Sequence, residues 1–339
     1  MQSSAQKYNI VTGETAAQST RYPDGGSNTT QLAAYCGWRA PVSRAIVMTA
    51  GLRYSHNMLT SKFDDQSFFA FPFDEIKYDN GAPTASLGAV YNAAAWQVRG
   101  ALASGFRAPN VDDVGKIFDT GNGVVIFPNP ELSSEYSYNG ELGLARDFGR
   151  FSASATGYYS MLRDAVLVRD AQFNGADSIL YDGAMAKVKS LQNVGEAFIA
   201  GLDVQAKCEI NERLTASTQL STAQGRDTES DLPLRSVPPL FGQTSLIWQQ
   251  ERWAAELFAR YNAWKQLDDM PIAGGEVTAY TDDGVPSWWT LNVRGDVKLV
   301  EHLELVAALE NILDLHYRPY ASGVSAPGRN LILSLRAEL

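Results

Sequence analysis

The sequence predicts an all-β fold: an antiparallel transmembrane β-barrel wall of about fourteen strands, with long extracellular loops and short periplasmic turns. Three observations predict it. Apolar residues recur with period two in segment after segment, without a helical repeat. The connections between these segments alternate between very short and long. Aromatic residues gather at segment ends, as they do at the two interfaces of a membrane barrel.

Composition narrows the alternatives. In 339 residues no window approaches the ~18–20 uninterrupted apolar residues of a membrane-spanning helix. The 38 Asp and Glu against 28 Lys and Arg argue against a nucleic-acid partner. The opening residues, MQSSAQKYNI, lack a basic stretch followed by an apolar run, so no signal peptide is expected. Cys36 and Cys208 lie far apart without metal-ligand spacing and are expected to be unpaired.

Taken in order, one strand candidate lies near Tyr8 to Thr12, and about thirteen more follow from residue 31 onward. The strand from Trp96 to Ser104 ends at Gly105, where a long loop punctuated by Gly and Pro begins. Segments 150–159 and 213–222 alternate with small side chains. Segment 202–210 alternates strictly: Leu202, Val204, Ala206, Cys208 and Ile210 against Asp203, Gln205, Lys207 and Glu209. Segment 291–299 repeats the pattern, with Leu291, Val293, Gly295, Val297 and Leu299 on the apolar face. The last strand sets Leu331, Leu333, Leu335, Ala337 and Leu339 against Ser334, Arg336 and Glu338. Short turns fall near 92–95, 147–150, 210–212, 250–252 and 300–302; long polar loops fall at 56–82, 105–134, 164–192, 225–237, 264–287 and 312–327. Soluble domains seldom carry so many loops above ~12–15 residues. The final strand runs from a long loop to the C-terminus, which places the C-terminus on the short-turn side.

Trp248 with Trp253, and Phe148 with Phe151, bracket two short turns, while Trp264, Trp288 and Trp289 edge a long loop. Alternation alone also fits a soluble β-sandwich, such as a surface adhesion or carbohydrate-binding protein. Mid-strand Asp203, Lys207, Arg294 and Asp296 instead suit a wide, wet or plugged lumen. No catalytic constellation appears. His56 in a predicted loop, His302 beside a short turn and His316 are dispersed, with no metal-site spacing. Gly121 and Gly123 signal a turn, and Asp112-Asp113 reads as a solvated loop pair. Neither enzymatic activity nor a cofactor is expected.

Four pieces in order carry a family resemblance. Phe106-Arg107-Ala108-Pro109 is followed by Asn129-Pro130-Glu131-Leu132, then Glu135 and Glu141. Asn193-Val194-Gly195-Glu196-Ala197 leads to Gly201-Leu202-Asp203. Pro238-Pro239-Leu240-Phe241-Gly242 opens a later strand. Asn311-Ile312-Leu313-Asp314, Tyr317-Arg318 and Pro327-Gly328-Arg329 close the chain. Together these resemble the TonB-dependent outer-membrane receptors, over roughly Arg21 to Leu339. The resemblance implies energy-coupled uptake of a ferric siderophore, haem or a related scarce nutrient across the bacterial outer membrane. Its implied partners are the TonB-ExbB-ExbD complex, engaged through an N-terminal segment, together with outer-membrane lipid, lipopolysaccharide and the ferric chelate or haem. Such receptors close ~22 strands, so residues 1–339 are expected to be a partial barrel domain without a plug, with two open sheet edges. Outer-membrane barrels usually end in an aromatic residue, and this sequence ends in Leu339 on the lipid-facing register. Receptors for haem with this box usually carry a histidine between its halves, and none lies between Pro109 and Asn129. Arg107, Tyr317, Arg318 and Arg329 are the ligand-binding candidates the resemblance suggests, with Arg107 and Arg329 alternatively holding the barrel wall to the plug.

Overall fold

The alternating segments form one continuous meander. The computed structural model describes residues 4–338 except 19, 116, 120–122, 182 and 272–282. Thirteen wall strands pair antiparallel in chain order: β1 (Gly26–Pro41), β2 (Ile46–Lys62), β3 (Glu75–Ala93), β4 (Trp96–Arg107), β5 (Glu135–Asp147), β6 (Phe151–Arg163), β7 (Glu196–Glu209), β8 (Leu214–Asp227), β9 (Phe241–Gln249), β10 (Trp253–Asn262), β11 (Trp288–Val300), β12 (Leu303–Glu310) and β13 (Asn330–Ala337). A sandwich would divide them into two packed sheets, whereas here they form one. Among the described residues β1 and β13 each have a neighbour on one side only, so the sheet has two open edges. The segment near Tyr8 to Thr12 lies outside the wall: Gln6–Tyr8 pairs with Thr15–Ala17 in a separate hairpin. The readings of Gly121 and Leu339 fall outside the described residues.

Register shows why the sequence alternates. Phe151, Cys208, Ala216, Leu246, Leu257, Val293, Leu309 and Leu331 are successive cross-strand partners from β6 to β13. This apolar row lies on the outer face, where Leu202, Leu257, Leu331, Leu333 and Leu335 are exposed. Such a band is expected to face hydrocarbon. One position along, Ser152, Lys207, Ser217 and Ser245 form a polar row on the inner face. There, Glu256 accepts from Arg294 Nη2 at 2.5 Å directly across β10 and β11. Arg99 Nη2 reaches past β5 to Thr156 Oγ1 on β6, at 2.7 Å. Gly143 leaves the space for that crossing, since a Cβ there would lie 2.4 Å from Arg99 Nε.

All the short connections, two to four residues each, lie at one end of the sheet. In one of them Gly149, at φ +85°, closes the Asp147–Phe151 turn, and Asp147 Oδ1 accepts its N–H at 2.7 Å. Long connections of 12 to 32 residues occupy the other end. They are not simply polar. Residues 63–73 include five phenylalanines, and their rings pack into a folded cap: Phe69 lies 5.0 Å from Phe127, and Phe127 stacks on Phe173 at 4.4 Å. The strand Ala184–Asn193 organises the cap by pairing antiparallel with Val166–Asp170 and Ser178–Tyr181, and parallel with Val124–Phe127. Most of the large buried apolar side chains, including Ile76, Val114, Val125 and Val188, belong to this end. The wall strands also run higher than the sequence suggests. His56 is not in a loop but on β2, paired with Gly81, and its Nε2 lies 2.9 Å from Asp79.

Candidate functional site

The long-loop end carries every candidate residue, in two groups separated by β5 to β9. In the first group, Arg107 is the last residue of β4 and pairs with Glu135, the first of β5. Pro109 lacks a backbone donor, which stops the strand from continuing. A short helix, α1 (Val111–Val114), follows under a capping box. Asn110 Oδ1 accepts from Asp112 N and Asp113 N, and Asp113 Oδ2 accepts from Asn110 N at 2.9 Å. Arg107 completes the arrangement by donating from Nη1 to Asp113 Oδ2 and from Nε to Glu135 Oε1, both at 2.6 Å. The other Glu135 oxygen accepts from Val166 N, the first residue of a cap strand. One guanidinium therefore joins wall, helix and cap.

The second half of the box pins the loop's return. Asn129 Nδ2 donates to Leu191 O at 2.8 Å, and its Oδ1 accepts from Glu131 N at 2.9 Å, holding the Pro130 turn. Leu132 is buried beside Val114, Leu59 and Tyr78, with Ala108 packed against them. Phe106 approaches Tyr136 with a ring separation of 6.3 Å. Asn193 clasps Ser133 from both sides, accepting from its N–H and donating to its carbonyl. Asp113 therefore closes the capping box of α1 and Asp112 lies in its first turn, so the two are not a free loop pair.

The second group lies around the loop 311–329. Asn311, 3% exposed, is its hub. Asn311 donates to Leu315 O and Pro327 O, accepts from Leu315 N, and gives its own N–H to Asn292 Oδ1. Arg329 Nε donates to Ile312 O at 2.9 Å, and its backbone N–H to Asp314 Oδ1 at 2.7 Å. Arg318 Nε donates to Ser322 O at 2.7 Å. Tyr317 sets its ring 4.3 Å from Trp288. Burial pushes the Tyr317 hydroxyl pKa up; Arg260 opposes that shift and Glu310 adds to it. Arg260 reaches Gln243 Oε1 at 3.2 Å and approaches Glu310 at 3.9 Å. The result is an aromatic pair beside a cation and an anion, a set able to hold a planar or anionic guest.

Three of the four candidates, Tyr317, Arg318 and Arg329, thus share one loop, and Arg107 stands apart. Sequence reasoning set Trp288 at the edge of a long loop without joining it to the candidates, and missed Arg260 and Glu310. Extending the inner register of β10 and β12 to their long-loop ends would have found the two charges, because Glu256 and Ala308 already mark that face. The described residues hold no cluster of three His, Cys, Asp or Glu side chains able to take a metal ion.

A sequence profile for the TonB dependent receptor-like β-barrel matches residues 2–312. The iron-regulated outer membrane virulence protein of Vibrio cholerae serotype O1 is 25% identical over 253 residues, 71% of this chain and 37% of that protein. The hemoglobin-haptoglobin utilization protein B of Neisseria meningitidis serogroup A is 23% identical over 311 residues, 81% of this chain and 37% of that protein. Among solved structures, the copper transporter OprC superposes with a TM-score of 0.79 at 18% identity, covering 98% of this chain and 52% of that one. A ferric enterobactin receptor from Pseudomonas aeruginosa gives 0.66 at 16% identity, covering 92% of this chain and 54% of that one. These structural likenesses establish the fold. The chain spans 37% of the length of the curated relatives it matches.

Proposed function

The chain belongs to the TonB-dependent receptor β-barrel family, and from that premise we propose that it forms wall and extracellular cap of a receptor importing a ferric chelate. Members of this family are transporters of the bacterial outer membrane and not enzymes. Residues 1–339 act in this reading as part of one barrel domain, and the open edges of β1 and β13 pair with further wall strands. Energy comes from the TonB-ExbB-ExbD complex.

The observation that carries the proposal is the one-sidedness of the molecule. Every long loop lies at one end of the wall, and three of them fold into a cap with its own core. Capture by organised loops above a polar inner face is how a receptor of this architecture would work. The relatives named for iron regulation and for hemoglobin-haptoglobin use support iron as the cargo. Haem ligated by the 108–134 loop fits less well, since no histidine lies between Pro109 and Asn129. We assign ligand contact to Tyr317 and Arg318, with Trp288 and Arg260 beside Tyr317. Arg107 acts as a positioning residue, because two carboxylates receive its donors, and Arg329 ties its loop together through Ile312 O.

The test is uptake by an iron-starved, receptor-null strain expressing the receptor or its variants at matched surface level. Tyr317→Ala with Arg318→Ala should lower ferric-chelate uptake about tenfold at limiting ligand, the scale of one lost charge-assisted contact. Removing TonB should abolish uptake in every case. Uptake that persists without TonB, or absent growth on every ferric chelate and haem, would defeat the proposal.

A further inference from the structure

Arg146 is an outward-facing arginine at the short-turn end of the wall. Arg146 on β5 shares its face with Leu142 and Leu144, both exposed on the outer surface, and pairs across the ladder with Trp96 on β4 and Ala153 on β6. It stands next to the short turn that ends β5, at the periplasmic rim. Its guanidinium carbon lies 4.4 Å from the Trp96 ring centroid and 4.1 Å from that of Phe148. Phe148 in turn lies 5.6 Å from Phe151. Arg146 Nε is buried and has no hydrogen-bond partner among the described residues. The adjacent carboxylate does not serve it, since Asp147 Oδ1 accepts from Gly149 N.

This arrangement is unusual for an outward-facing charge. Rings packed against the guanidinium strip water from it and cover Nε, so the two terminal nitrogens are the donors left to meet phosphate oxygens. The girdle in which it sits is the level of lipid headgroups. The short turns around the rim mix signs, with Arg44, Arg150, Arg213 and Arg252 offset by Glu212, Glu251 and Glu301. A diffuse basic patch therefore does not explain the arrangement, but a single dehydrated fork does. We propose that Arg146, held by Trp96 and Phe148, binds the phosphodiester headgroup of a glycerophospholipid at the periplasmic rim.

The experiment is native mass spectrometry of the receptor purified in mild detergent and titrated with phosphatidylglycerol. Diacylglycerol serves as the control with acyl chains and no phosphate, and inorganic phosphate as the control with no chains. The wild type should retain one phosphatidylglycerol that R146A holds about tenfold more weakly. R146K, which keeps the charge and loses the fork, should hold it at least threefold more weakly. Equal retention by wild type and R146A would overturn the proposal, as would equal retention of diacylglycerol. Displacement by millimolar inorganic phosphate would reassign the site to free anions and overturn the lipid assignment. Heat-modifiable gel migration reports whether each variant is folded. Should R146A fail that check, unchanged retention by folded R146K would overturn the proposal equally.

Discussion

Val204 and Gln205 are neighbours in sequence and lie on opposite faces of the wall. Val204 pairs with Ala155 and Leu220 on the outer face, while Gln205 pairs with Ser154 and Gln219 on the inner one. An arginine at 204 would be forced into hydrocarbon near mid-membrane, at a cost of ~2–4 kcal/mol. At 205 it would join Lys207 and Asp203 in a polar lumen and cost little. Folding titrations of Val204→Arg and Gln205→Arg in lipid vesicles check this, and equal losses would contradict the assigned faces. Arg107 shows how a fork can be engaged within the protein itself. Its sequence context suggests either a ligand contact or a structural tie, and two carboxylates receive its fork. Arg107→Ala should leave Asp113 and Glu135 without their cation and cost about 1–3 kcal/mol. The cost should register as faster proteolysis within 108–134, with the wall strands unchanged.

Elements of the cap and mouth depend on a few buried amides. Asn311→Ala removes the acceptor for Leu315 N and the donor to Leu315 O and Pro327 O, orphaning groups at a cost of about 1–3 kcal/mol each. Hydrogen exchange should rise across 311–329 and stay unchanged in β5 and β6. The cap also responds to acid. Hydrogen bonds from Lys187 and Lys189 hold the Asp170 carboxyl below its usual value. A depressed carboxyl stabilises the fold above the unfolded pKa of about 4, and that contribution fades as pH falls through the folded value. Exchange in Val166–Asp170 should therefore accelerate below about pH 4 more than exchange in β7. The wall was legible in the sequence because alternation is local: Leu202 through Cys208 state their faces without reference to any other strand. The cap was not. Its parallel pairing joins Val124–Phe127 to Lys187–Ser190 across a long separation, and the phenylalanines of 63–73 follow no period. At the mouth, Tyr317 stood in a recognisable motif, while Trp288 and Arg260 meet it only in the folded sheet.

For the whole molecule, the governing fact is that loop length sorts by end. An antiparallel meander places successive connections at alternate ends, so the parity of a single turn fixes the position of all the others. Gly149 lies in a short turn, whereas Gly175 lies in the cap between β6 and β7, and Asp283 in the connection between β10 and β11. Gly149 tolerates little change, because its positive φ closes the turn; a tag should be inserted after it, keeping the glycine. Gly175 follows Asn174 in a turn where a Cβ on Gly175 would meet nothing, which leaves room for an insertion. In intact cells a membrane-impermeant probe should reach tags at 175 and 283 and miss the tag at 149. After the outer membrane is breached, all three should label. Outer-face chemistry cannot produce that result by itself, since an apolar band would look the same with the molecule inverted. Labelling at 149 on intact cells would place the cap in the periplasm. It would also separate the fold, which would stand, from the receptor reading, which would not.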